Sequence, residues 1–464
     1  MENMDYDLRS VQEARNLARL GQIATEQIAT YNEDQIDRII RNMVRVAEAN
    51  AVSLAQMAVE ETGFGKVEDK TYKNHMASTL LYDAIKDMKT CGIISEDPVA
   101  RTMDVADPVG LLMGIVPSTN PTSTAIFKSI IAIKARNAIV FSPHPSAAKC
   151  TQKAAQLMYE AAVEAGAPAN IIGCITMPSM QATNELMHSK EVKMIIATGG
   201  PGMVKAAYSS GKPAFGVGAG NVQTLVDRDA DIADVAQKVV VSRIYDNGVL
   251  CTCEQCVHVP VEKYDELVAE LVKLGAHYIS EPADVDALRK GMFPTGSINK
   301  DVVGASPAFI AKTAGLECPE EAKLLLVKIE KYGADEYLAK EKLCPVLAIR
   351  AYDTWEEAVD VAVTNLKNEG AGHSAVVHSN TKEHVEYAAE LLPVSRVGVN
   401  MIGSSGLGGG LDNGLNPTAT LGCGTWGNNS ISENLWWHNL VNIARIAYRL
   451  PDKPIPTDEE IWAE

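Results

Sequence analysis

The chain has 464 residues, of which 46% are hydrophobic and 22% charged, with a formal net charge of −17 and a sequence pI of about 5.1. That size predicts two or three lobes of a globular protein rather than one small core or a disordered chain. The acidic balance opposes nonspecific binding to DNA or anionic lipid and so excludes nucleic acid as a partner, while an anionic small molecule needs only a local positive potential. Nine cysteines, an odd number, do not make a secreted disulfide framework and predict a reducing compartment. The start, Met1-Glu-Asn-Met-Asp-Tyr-Asp-Leu8, lacks the basic and apolar regions of a signal peptide. No apolar run approaches the roughly 20 residues of a membrane span. The expected location is the cytoplasm, with no membrane partner.

The first hundred residues read as helices, the first beginning near Ser10. Asn32 is a candidate N-cap with Gln35 three residues on, and Ile36, Ile39, Ile40, Met43 and Val44 recur at helical spacing. From about Ala100 the pattern changes, and Arg101 to Gly110 predicts a β-hairpin with its turn near Asp107-Pro108. Strand and helix then alternate: 111–116 and 124–134, 137–142 and 147–165, 171–175 and 181–187, 193–197 and 202–210. Repeated units of this kind imply an open parallel sheet with helices on both faces, binding ligands at the carboxyl ends of its strands. A second alternating region starts near Asp231, with Cys251 at the head of its first strand, and runs to about Val399. Beyond Thr420 the tail is rich in Asn, Trp and Leu. Trp436 and Trp437 beside Leu440 and Ile443 predict a packing face, against another subunit or the chain itself.

Cys251 lies in the run Tyr245-Asp-Asn-Gly-Val-Leu-Cys251-Thr-Cys-Glu-Gln255. A thiol just after a Gly-bearing turn is presented to a substrate, with its own amide N–H available to the atom it attacks; its thiolate is the nucleophile. Cys251, Cys253, Cys256 and His258 could also be read as a zinc set. On a strand, however, Cys251 and Cys253 share one face with no turn to wrap an ion, and Cys256 points to the other. No metal is therefore assigned, and Cys253 and Cys256 read as small packing residues, with oxidation of Cys251 by Cys253 as an alternative. The run Ala197-Thr-Gly199-Gly-Pro-Gly202-Met-Val-Lys205 follows a strand and opens a helix, where glycines and free N–H groups favour phosphate. Lys205 stands where a GxGxxG fingerprint has its third Gly, so a plain strand–helix turn is an equal reading. Residues 215–221 read as a tight crossover, and Gly406-Leu-Gly-Gly-Gly410 as a phosphate cradle or a flexible loop.

Together these pieces resemble the aldehyde dehydrogenase superfamily, specifically its CoA-acylating branch of acetaldehyde, succinate-semialdehyde and sulfoacetaldehyde dehydrogenases. The matching runs are Gly114-Ile-Val-Pro-Ser-Thr-Asn120-Pro-Thr-Ser, Phe141-Ser-Pro-His-Pro145, Ala197 to Pro213, Asp246-Asn-Gly-Val-Leu-Cys251 and Leu421-Gly-Cys-Gly-Thr-Trp-Gly-Asn-Asn-Ser-Ile-Ser-Glu-Asn434. The resemblance implies an α/β fold of two Rossmann-like parallel-sheet lobes with a small β oligomerisation arm. A dinucleotide-binding domain would span 1–230, with the hairpin arm near 100–110. A catalytic thiol domain would span 231–420, and an oligomerisation or packing segment 421–464.

Under the same resemblance Cys251 attacks the aldehyde, the Asn120 side chain and the Cys251 amide hold the oxyanion, and NAD accepts the hydride. Coenzyme A then takes the acyl group from the Cys251 thioester. Hydrolytic relatives carry a water-activating Glu in a Glu-Leu-Gly-Gly run; this chain has Gly216-Val-Gly-Ala219 there, which favours acyl transfer to CoA over hydrolysis. The alternative is a hydrolytic enzyme that recruits a base from elsewhere; a metal-dependent or structural oligomer without turnover is a third reading. His373 matches a histidine that would serve as base for Cys251 or the CoA thiol, with a structural His as the rival role.

The dinucleotide would contact Ser142, Pro143, His144, Thr198, Gly199, Gly202, Met203 and Gly218, with Glu341 on the nicotinamide ribose and Leu343 packed nearby. Ser142-Pro-His144 replaces the Lys-Pro-x-Glu run of relatives, which leaves NADP open. Pocket walls would come from Ser118, Thr119, Ile244, Tyr245, Met401, Ile402, Ser404 and Ser405, suiting a short and optionally anionic aldehyde. Arg243 reads as a solvated helix end. A homodimer or homotetramer is expected.

Overall fold

The protein is described by a computed structural model covering residues 5–410, 412–451 and 453–463; the first four residues of the acidic start lie outside the described residues. Helices α1 (Tyr6–Ile28), α2 (Glu33–Ala49), α3 (Ala51–Thr62), α4 (Val67–His75) and α5 (Leu81–Ile85) open the chain. The Asn32 side chain accepts the Gln35 N–H and the Gln35 side chain accepts the Asn32 N–H, both at 3.0 Å, so the capping box forms. All five apolar residues at helical spacing on α2 are buried. Helix α4 has a different basis, since its buried residues are Lys70, Lys73 and Asn74 rather than an apolar stripe.

Strands β1 (Gly92–Asp97) and β2 (Thr102–Pro108) pair antiparallel, but the hairpin does not turn at Asp107-Pro108. It turns over residues 98–101, where the Asp97 carboxylate accepts the N–H groups of Val99 and Ala100 and Arg101 takes a φ of 53°. An Asp followed by Pro is itself turn chemistry, and Pro108 instead ends β2.

The first parallel sheet contains β3 (Leu111–Val116), β4 (Ala138–Pro143), β5 (Ile172–Cys174), β6 (Val192–Ala197) and β7 (Ala214–Gly216), in the order β5-β4-β3-β6-β7. Helices α6 (Pro121–Lys134), α7 (Ala148–Glu164), α8 (Met180–His188) and α9 (Pro201–Tyr208) connect them. Strands β3 and β4 are buried throughout, as expected of a sheet covered on both faces.

Residues 217–221 then cross to β8 (Val222–Val226), which belongs to a second, seven-stranded parallel sheet. Its other strands are β9 (Glu254–Pro260), β10 (Ala276–Ile279), β11 (Leu324–Lys328), β12 (Val346–Tyr352), β13 (Ala375–His378) and β14 (Val397–Val399), in the order β10-β11-β12-β9-β8-β13-β14. The second sheet therefore begins ahead of the expected boundary at residue 231, and α10 (Ile232–Ile244) joins β8 to β9 instead of opening the lobe. Nor does Cys251 head a first strand. It lies in a turn before β9, because Asp246, Asn247 and Gly248 have φ of 49°, 52° and 70° and cannot extend.

Strand β15 (Val441–Ala447) pairs antiparallel with β2 and completes a three-stranded arm, the small β element expected beside two parallel sheets. Trp436 and Trp437 do not face outward: both join Leu435 and Leu440 in the core of the first lobe, and Trp437 Nε1 lies 3.1 Å from Met88 Sδ. Ile443, on the arm, stays exposed. Among the described residues no helix is long and apolar enough to cross a membrane.

Loss of one capping partner sets a baseline for purely structural change. Asn32→Ala should lower unfolding free energy by about 1 kcal/mol, read as a reduced denaturant midpoint, with turnover unchanged.

Candidate active site

The two sheets meet at unlike ends. The first offers the carboxyl ends of β3 and β6, where the strand order reverses and the loops 117–120 and 198–200 emerge. The second offers its amino ends: Gly220 and Asn221 precede β8, Cys251 precedes β9, Lys342 and Leu343 precede β12, His373 precedes β13 and Arg396 precedes β14. Short contacts gather these loops. The Gly220 N–H donates to Glu341 Oε1 at 3.0 Å, Asn221 Nδ2 to the Glu369 carbonyl at 3.0 Å, and Thr252 Oγ1 to the Ser404 carbonyl at 3.1 Å. Gly220 must lack a side chain, because a Cβ there would collide with the Cys251 carbonyl.

Cys251 is half-buried against Val217, Leu421 and Cys423. Desolvation pushes its thiol pKa well up, Glu341 adds to this, and Arg396 opposes it. The environment thus stores a neutral thiol rather than a preformed thiolate. His373 departs from expectation in the same way: it is fully buried, and desolvation followed by Arg396 lowers its pKa to about 3, far from neutrality. Neither ring nitrogen has a hydrogen-bond partner among the described residues. It is a neutral imidazole with unspent bonding capacity.

Glu341 is raised to about 8 by burial and then by Glu369, so it is mostly protonated at pH 7. Leu343 takes a φ of 49° beside the buried Lys342, whose Nζ donates to the carbonyls of Gln255, Leu338 and Lys340. Arg243 is not a solvated helix end. It is completely buried and donates to the carbonyls of Glu254 and Cys344. Cys253 and Cys256 are fully buried, and no group of three potential metal ligands gathers among the described residues.

Asn120 occupies the N-cap position of α6 without a capping bond from its side chain. Its Oδ1 accepts from Lys73 Nζ at 2.6 Å, and its Nδ2 reaches Thr119 Oγ1 at 3.2 Å. Lys73 Nζ also lies 2.5 Å from Asp246 Oδ2, and Lys70 Nζ lies 2.9 Å from the same oxygen and 2.9 Å from the Thr119 carbonyl. Asp246 Oδ1 accepts the Lys66 N–H at 2.8 Å. Burial alone would raise the Asp246 carboxyl, but Lys73 and Lys70 overcome it and hold it below the ordinary carboxylate range. The sequence reading missed Lys70, Lys73, Asp246, Arg396 and Cys423 as site residues. The one available signal for the lysines was the missing apolar stripe of α4.

The remaining candidates divide. Ser142 and Pro143 close β4 and are buried, the Ser142 hydroxyl being engaged with Thr183 Oγ1 at 2.8 Å, while His144 is exposed. Thr198 Oγ1 bonds Thr420 Oγ1 at 3.0 Å, and the Gly218 N–H points to Cys423 Sγ at 3.4 Å. Gly199, Gly202 and Met203 surround the start of α9, where a Cβ on Gly200 or Gly202 would meet no atom within 4 Å. That open helix N-terminus beside the sheet crevice fits a dinucleotide diphosphate. Ser118, Thr119, Ile244, Tyr245, Met401, Ile402 and Ser405 are half-buried and Ser404 is buried. The Tyr245 hydroxyl donates to the Asp69 carbonyl at 3.0 Å, and the Met401 sulfur folds back on Gly398 and Gly406.

The model of the aldehyde dehydrogenase family matches residues 4–287. The succinate-semialdehyde dehydrogenase (acetylating) of Clostridium kluyveri is 43% identical, over 97% of this chain and 98% of that one. The chain spans 48% of the bifunctional aldehyde-alcohol dehydrogenase of Escherichia coli, also at 43% identity. Among solved structures, an acetylating aldehyde dehydrogenase from Geobacillus thermoglucosidasius superposes with a TM-score of 0.94 at 45% identity, covering 97% of this chain and all of that one. A propionaldehyde dehydrogenase from Rhodopseudomonas palustris, with bound CoA and an acylated cysteine, superposes at 0.83 with 27% identity, covering 94% and 97%.

Two measurements follow from this electrostatic arrangement. Since the folded thiol pKa is raised, alkylation of Cys251 by iodoacetamide should be slow at pH 7 and still climbing above pH 9, followed by mass spectrometry. Asp246 is depressed instead, so its stabilisation is present above its ordinary range and disappears as pH falls through its folded pKa. At neutral pH, Asp246→Asn strands two buried ammonium groups and should cost about 3–5 kcal/mol in equilibrium unfolding.

Proposed function

The chain belongs to the aldehyde dehydrogenase family, and from that premise we propose how its own residues carry out NAD(P)-dependent, CoA-acylating aldehyde oxidation through a cysteine thioester. The observation that carries this reading is a desolvated thiol that, among the described residues, no ionised carboxylate faces. Gly216 occupies the position of the hydrolytic Glu, and Glu341, the carboxyl facing Cys251, is held mostly protonated. A thioester formed there persists until a second thiol arrives.

Cys251 Sγ forms a bond to the aldehyde carbon while its proton passes to His373, whose unpartnered ring nitrogens leave room for one. Negative charge appears on the aldehyde oxygen, toward which Asn120 Nδ2 and the Cys251 N–H donate. Gly199, Gly202, Met203 and Glu341 would hold the dinucleotide, which would supply the hydride acceptor when bound. The acyl group then sits on Cys251 as a thioester. His373, having passed its first proton to solvent, takes the proton from the entering CoA thiol, whose sulfur displaces Cys251 Sγ, and returns that proton to the departing sulfur. One thioester replaces another, so the exchange is close to isoenergetic and reversible. Ser142, Pro143, His144, Thr198, Gly218 and Leu343 border the dinucleotide crevice.

The aldehyde is short. Arg243 is committed to backbone carbonyls and both α4 lysines to Asp246, so an anionic tail would be held by the hydroxyls of Ser118, Thr119, Ser404 and Ser405. The exposed Ile443, Ile446 and Tyr448 on and after the edge strand β15 support assembly of this chain with further copies as a dimer or tetramer. The cytoplasm is the proposed location.

The test is reduced-cofactor formation across an aldehyde panel with and without CoA. Sustained turnover should require CoA. Without it, about one equivalent per active site should appear as a burst. Cys251→Ala should abolish turnover, and Asn120→Ala should slow it about a hundredfold or more. Full-speed production of free acid without CoA would establish the hydrolytic reading instead.

A further inference from the structure

We propose that Lys73 is a positioning residue for the oxyanion donor: held by Asp246, its ammonium group sets the Asn120 amide with the nitrogen toward the reacting carbonyl. The proposal rests on the reading of Asn120 as that donor. It starts from the terminal torsion of Asn120, whose two orientations differ by half a turn and exchange a donor for an acceptor. Helix α6 does not choose between them, because Asn120 makes no capping bond. Thr119 Oγ1 does not choose either, since a hydroxyl both donates and accepts.

Lys73 does choose. Its Nζ is 2.6 Å from Asn120 Oδ1, and an ammonium group has donors only. Turning the amide over would set N–H against N–H at that distance, with Lys73 only 8% exposed and Asp246 fully buried. Little solvent is present to screen the repulsion. Asp246 Oδ2 fixes Lys73 from the other side at 2.5 Å, and Lys70 holds the Thr119 carbonyl, one residue before the donor. A cation on the amide oxygen also withdraws charge from the amide and strengthens its N–H as a donor when negative charge develops opposite.

A packing role alone explains this arrangement poorly. Two buried ammonium groups on one carboxylate carry a desolvation cost that apolar residues of similar volume avoid. Among the described residues, Lys73 is also the only side chain hydrogen-bonded to both Asp246, in the turn preceding Cys251, and the Asn120 side chain.

A double-mutant cycle tests the idea on the full-length enzyme. Lys73→Met and Lys73→Gln are each made in the natural sequence and in Asn120→Ala, and acyl-CoA formation is measured at saturating CoA and cofactor. Lys73→Met should lower kcat about ten- to a hundredfold, with the aldehyde KM within about threefold. In the Asn120→Ala background it should change kcat by less than about threefold, because the group it positions is gone. Lys73→Gln, which can still donate to Oδ1, should recover part of the loss; it also serves if Lys73→Met does not fold. Equal losses in both backgrounds, or an unchanged kcat in the natural one, would overturn the proposal. Full activity of Asn120→Ala alone would instead remove the underlying reading of Asn120, and the proposal with it.

Discussion

The site depends on one buried carboxylate. Asp246 sits in a run of three left-handed residues, a backbone that costs roughly 1–3 kcal/mol at each non-glycine position and persists only where its surroundings over-determine it. The surroundings do so from the N-terminal helices: Lys66 through its backbone N–H, Lys70 and Lys73 through their side chains, and Asp69 by accepting the Asp246 N–H at 2.8 Å. The same turn delivers Cys251 five residues later, and the same ammonium groups reach Thr119 and Asn120 in the other lobe. A single charge cluster therefore couples the loop that carries Cys251 to the loop that carries Asn120, across two sheets. Gly65 completes the fit, because a side chain there would strike the Asp246 carboxylate.

Around this anchor the chemistry is set by dryness. Desolvation raises Cys251 and Glu341 and lowers His373, so all three favour their neutral forms in the free protein. A neutral thiol is protected from chance alkylation and oxidation, and a protonated carboxyl does not activate water. On the proposed mechanism, His373 would gain a partner only when a substrate enters. On the proposed mechanism, selectivity for thiol over water would arise from withheld base strength as much as from any group that binds CoA.

The fold was legible in the sequence where periodicity is local. Strand 111–116 and the α2 capping box are where apolar pattern and cap chemistry put them, because each is decided by neighbours a few residues away. The hairpin turn was misplaced because two Asp-Pro pairs, at 97–98 and 107–108, offer the same turn chemistry, and only pairing of β2 with both β1 and β15 selects between them. The tryptophan pair, read as a packing face, proved to be core once the tail folded back on the first lobe.

Residue types and local order were enough to propose Cys251 as the nucleophile, Asn120 as its companion and the glycines before α9 as a close-approach surface, since each proposal draws on a short run. Sequence also carried the absence of a hydrolytic Glu. It could not reveal that Lys70 and Lys73 are buried about 175 positions ahead of the carboxylate that neutralises them. Nor could it foretell the protonation states of Cys251, Glu341 and His373. Those depend on how much water each group loses and which charges it meets when loops from two sheets converge, and such quantities exist only in the folded molecule.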